Sequence, residues 1–124
     1  MVETDISQLS GECNTWRAAL RNYRDEFTEL KNQLQNVAKD LHQQEPLKEV
    51  EHLHNQFHIQ LINIHDLKQS IKAHERQVEQ ESSGGRLSEA TYAHHESLHE
   101  EYQSLERTLE ELKTEFSGFV QDTR

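Results

Sequence analysis

Residues 9–41 read LSGECNTWRAALRNYRDEFTELKNQLQNVAKDL, and a single stripe runs through them. Leu9, Cys13, Trp16, Leu20, Tyr23, Phe27, Leu30, Leu34, Val37 and Leu41 follow one another at steps of 4 and 3 in unbroken alternation. That is the heptad spacing, which lines apolar side chains along one edge of a helix. Arg, Asp, Glu, Lys, Gln and Asn fill the positions between. An isolated helix with so narrow a stripe is marginal in water, and its stability comes from packing the stripe against partners. The remainder of the chain is therefore read as what this seam packs against.

Two further stripes answer it. The first seam is interrupted at His42-Gln43-Gln44-Glu45-Pro46. Pro46 suits the first turn of a new helix, where its missing N–H is no loss. A turn there, rather than a kink in one long helix, divides the chain into three segments of similar length. Helix 1 is expected over about residues 5–42, capped by Asp5 (with Gln8) or Thr4, with Gly11 weakening that end. Helix 2 is expected over about 46–80, with Val50, Leu53, Phe57, Leu61, Ile64, Leu67, Ile71, His74 and Val78 inward. Its steps are less regular and read as a local stutter, because the strict register turns His54, Lys68 and Glu75 inward. Ser82-Ser83-Gly84-Gly85 is the clearest turn. Helix 3, over about 88–120, opens on Ser88 as N-cap with a hydrophobic staple from Leu87 to Tyr92. Its seam is Thr91, His95, Leu98, Tyr102, Leu105, Leu109, Leu112, Phe116 and Phe119.

Short connections make sequential helices antiparallel neighbours. The expected fold is all-α: one domain, a long antiparallel three-helix coiled-coil bundle, up-down-up and left-handed. Each helix is about 50 Å long at 1.5 Å per residue. A dimer that swaps or pairs long helices is the rival architecture. A Trp in the first helix of a long antiparallel triple coil is loosely similar to a spectrin-type repeat, a likeness resting on Trp16 and the heptads.

Composition bounds the function. Only 32% of the 124 residues are hydrophobic, and mean hydropathy is -1.00. Long coiled helices look this polar because they bury two or three positions in seven. A formal charge of -10 repels nucleic acid and anionic membrane surfaces, so neither is expected as a partner. No apolar run approaches the roughly 20 residues of a membrane span, and the first residues lack the pattern of a secretory signal. One cysteine fits a reducing compartment, and the expected location is cytoplasmic. Nine histidines are the unusual number: protonating all of them moves the formal charge from -10 to -1.

Several of those histidines converge. Counting outward from the two turns puts His74 level with Trp16 on helix 1 and with His94 and His95 on helix 3, with Cys13 less than a turn away. One thiol and two or three imidazoles between helices form the donor set that zinc favours. Cys13, His74, His94 and His95 are therefore candidate metal ligands, with Glu12 or Glu75 able to complete four. The plainer reading is a polar layer that fixes register. His54, His58 and His65 share a second stripe on helix 2 and form a weaker candidate set, against solvated His as the commoner explanation. The Glu51-x-x-His54 and Glu96-x-x-His99 motifs match a di-metal carboxylate pattern in spacing. Layer counting separates their histidines by roughly 22 Å, which excludes that site in a monomer.

No phosphate loop and no pre-formed nucleophile pocket is legible, so no enzyme and no organic cofactor is expected. On the outer face of helix 2, Ile59 and Ile62 lie roughly 140–200° around from the seam, with Ala73 on the same face. They are read as a protein contact, with a homodimer through helix 2 as the expected form. The chain is accordingly expected to be a non-enzymatic interaction or scaffold module that self-associates. The alternative is a zinc-like divalent-metal protein using the Cys/His layer.

Overall fold

A computed structural model describes residues 2–123. It consists of three helices, α1 (Val2–Lys39), α2 (Gln44–Ser82) and α3 (Glu89–Asp122), with no strand among the described residues. The heptad stripes decide the packing. On α1 the buried positions are Leu9, Cys13, Trp16, Leu20, Phe27 and Leu34, with Tyr23, Leu30, Val37 and Leu41 partly buried against the core. Helix α1 packs on α2 and α2 on α3. The contacts run antiparallel. Cys13 lies beside His74 and His95, whereas further along α1 Phe27 meets Phe57, and Phe57 meets Phe116. Helices α1 and α3 are bridged by long side chains such as Lys113 to Glu26 (2.9 Å) and Tyr23 to Glu110 (2.7 Å).

The helix ends differ from the sequence reading in detail. Backbone is already helical from Val2, so the cap expected at Thr4 or Asp5 falls inside α1; those two side chains lie outside the described residues. At the other end α1 stops at Lys39, not 42, tightened by Asp40 and Leu41 N–H groups that donate to Val37 and Ala38 carbonyls. Residues 40–43 form the connection, and α2 starts at Gln44 with Pro46 in its first turn. A turn, not a kink, separates the helices. Pro46 is harmless there because the first four N–H groups of a helix have no intrahelical acceptor.

The α2 stutter is corrected outright. The buried residues are Leu53, Phe57, Gln60, Ile64, Leu67, Ile71, His74 and Val78, an unbroken alternation of 4 and 3. Gln60 takes the seam position assigned to Leu61, which is only partly buried, and its Oε1 accepts from the Asn63 amide at 3.2 Å. His54, Lys68 and Glu75 sit half-buried on the flanks.

The second turn is held by polar groups from both helices. Gly85 has φ 82°, the left-handed region where a Cβ is strained. Ser88 caps α3 by accepting the Thr91 N–H at 3.1 Å. The Glu81 carboxylate, on the last turn of α2, accepts the Ser88 N–H at 2.7 Å and the Thr91 hydroxyl at 2.6 Å. These hydrogen bonds, with one from Gln77, pull its pKa down to about 2. Leu87 is buried against Leu9 and Val78, with Ile6 at the edge, while Tyr92, the expected staple partner, is exposed.

Candidate functional site

One layer above that Leu9–Val78–Leu87 cluster, the bundle interior turns polar. Heptad spacing on each helix points one side chain into the layer: Cys13 from α1, His74 from α2 and His95 from α3. All three are buried, with exposures of 0%, 1% and 5%. Their donor atoms all lie within 4.8 Å of one another. His74 Nε2 is 2.9 Å from His95 Nδ1, and Cys13 Sγ is 4.0 Å from the same nitrogen. The far nitrogen of His95, Nε2, lies 3.0 Å from Glu12 Oε1. Trp16 covers the layer from the core side, its ring 4.8 Å from that of His95 and 5.6 Å from that of His99.

Charge in this layer is strongly biased. Burial, then the carboxylates of Glu75 and Glu12, push the Cys13 thiol up to about 12, so it holds its proton. Burial, then the neighbouring His95 and His94 rings, push His74 down to about 4, so it is neutral. Its Nδ1 is buried and has no hydrogen-bond partner among the described residues. Glu75 is engaged by Arg17, whose guanidinium donates to it at 3.2 Å.

No family model, no curated protein and no solved structure matches the chain. The reading of the layer therefore rests on its own chemistry. Of the four expected ligands, the structure brings together Cys13, His74 and His95. His94 is exposed and meets His74 edge-on, ring centroids 4.9 Å apart at 81°. It contributes no donor to the cluster.

The second set does not assemble. His58 and His65 are exposed and His54 is half-buried, and none of them joins a third donor among the described residues. A group that sequence reasoning missed lies elsewhere: Glu49, His52 and Glu115, across α2 and α3, with His52 Nε2 3.3 Å from Glu115 Oε1. No seam position signals it, because these are flank residues brought level only by the packing of the helices. Both partners of that pair are about half exposed, and it reads as a solvated polar contact.

Two further features mark the surface. Ile59 and Ile62 are 44% and 47% exposed, and Ala73 is exposed on the same face. A shallow groove of about 390 Å³ runs beside the polar layer, bounded by Ala73, His74, Gln77, Ala90 and His94. Among the described residues no helix is long and apolar enough to cross a membrane.

Proposed function

We propose that this chain is a non-enzymatic scaffold, a helical rod that pairs with a second copy of itself through the outer face of α2. The observation that carries the reading is the exposure of Ile59 and Ile62, on a helix whose other large apolar side chains turn inward. Three antiparallel helices enter and leave the bundle at opposite ends, about 50 Å apart by the rise of α3. That geometry suits a spacer.

Charge selects the pairing face. A chain of net charge -10 pairs with itself only where acids are sparse, since like charges across an interface are costly. The exposed stripe Asn55, Ile59, Ile62, Asp66, Gln69 and Ala73 holds a single acid. Exposed positions of α3 instead include Glu100, Glu101, Glu110 and Glu111. A two-fold contact through α2 is self-complementary, as a homodimer requires.

Sedimentation of the full chain tests it. The wild type is expected at twice its 14.6 kDa mass, and Ile59→Glu with Ile62→Glu at the single-chain mass with unchanged helicity. A monomeric wild type, or a double variant that still pairs, contradicts the proposal.

A further inference from the structure

Beyond the scaffold role, we infer that Cys13, His74 and His95 form a site for one divalent transition-metal ion of zinc's class, with Glu12 as an outer carboxylate that sets the His95 tautomer. Each helix supplies one donor, and the three are a sulfur and two imidazole nitrogens. Hard cations such as magnesium or calcium take oxygen donors, whereas zinc and its neighbours take this mixture.

The proton inventory of the layer points the same way. Glu12 accepts from His95 Nε2, 3.0 Å away, which leaves a lone pair on Nδ1. Two hydrogens compete for that one lone pair: His74 N–H at 2.9 Å and Cys13 S–H at 4.0 Å. A cation bound in place of both hydrogens, with the thiol proton released to solvent, gives all three donor atoms a partner at once. His74 then carries its proton on Nδ1. The Glu12 carboxylate, 3.0 Å from His95, favours a dication in the same place.

Little movement is needed. Tetrahedral bonds of about 2.3 Å to sulfur and about 2.05 Å to nitrogen separate two nitrogens by about 3.3 Å, and sulfur from nitrogen by about 3.6 Å. The nitrogens open by about 0.4 Å, and the sulfur closes by a similar amount on His95 Nδ1 and by at most about 1.2 Å on His74 Nε2. The carboxylate on the far ring nitrogen is the outer-shell arrangement that orients metal-binding histidines. Arg17 holds Glu75 and Glu12 is engaged by His95, so water completes the fourth position.

Cobalt(II) titration of the metal-free full chain, followed by absorption and then zinc competition, tests the site. One cobalt per chain with a thiolate-to-cobalt charge-transfer band is expected. Cys13→Ser is expected to abolish the band and weaken zinc binding at least about 10-fold. Glu12→Gln, at a half-buried position that does not threaten folding, is expected to keep the band and weaken zinc about 10-fold. Removing His54, His58 and His65 together leaves stoichiometry and band unchanged. A wild type without the band, or zinc binding undiminished in Cys13→Ser, overturns the site; undiminished binding in Glu12→Gln overturns the role given to Glu12.

Discussion

Two layers of the same bundle are built on the same heptad rule and behave in opposite ways. In the middle, Phe27, Phe57 and Phe116 meet with ring centroids 5.7 and 5.5 Å apart. Every atom there is apolar and packed, so that layer does nothing but hold the helices together. Nearer one end, Cys13, His74 and His95 occupy equivalent positions with equal burial, yet hold a protonated thiol, a neutral imidazole and an unpartnered nitrogen. Burial alone therefore does not tell a structural layer from a chemical one. The difference lies in whether the buried groups satisfy one another.

The largest loss of stability is expected at the aromatic layer. Phe57→Ala is expected to destabilise the fold by about 3–5 kcal/mol, because the cavity lies between three helices that cannot collapse on it. Urea unfolding followed by helicity measures this directly.

A pH effect belongs to the other layer. In the metal-free protein His74 titrates at about 4, below the ordinary 6.5, because burial and then the His95 and His94 rings oppose its charge, with Glu81 acting weakly the other way. The unfolded chain takes the proton first. Stability is thus complete above pH about 6.5 and is lost as pH falls toward 4, by about 3 kcal/mol in all. Unfolding midpoints equal at pH 7 and pH 4.5 would falsify this assignment.

Smaller changes sharpen the contrast. Ser88→Ala removes the cap of α3 and is expected to lower stability by about 1 kcal/mol, read as a drop in melting temperature. Gln60→Leu places an apolar side chain at a seam position. It is expected to raise stability by up to about 1 kcal/mol, whereas a drop would mean the Gln60 amide has a buried partner that matters.

Much of this was legible in the residues. The α1 stripe named the core of that helix, and counting from the turns placed His74 level with His95, with Cys13 less than a turn away. Besides the Glu49–His52–Glu115 flank group, three things were hidden, for different reasons. Hydrophobicity preferred Leu61 over Gln60, although register, once set by the seven other seam residues of α2, overrides the chemistry of one. The heptad seam singled out His95 but not how far its neighbour lies from the layer: His94, offered as a fourth ligand, turns to solvent and adds no donor. Capping rules are local, and Glu81 caps α3 from the preceding helix, which no local pattern reveals.

The most direct test of the contrast is the unfolding of metal-free His74→Leu with His95→Leu. If the polar layer is held by the bundle rather than holding it, replacing both partners by apolar side chains of similar volume leaves stability at pH 8 equal or higher. The acid loss between pH 6.5 and 4 disappears in the same variant. A fall of more than about 1 kcal/mol at pH 8 would contradict the account and make the layer a structural element like the aromatic one.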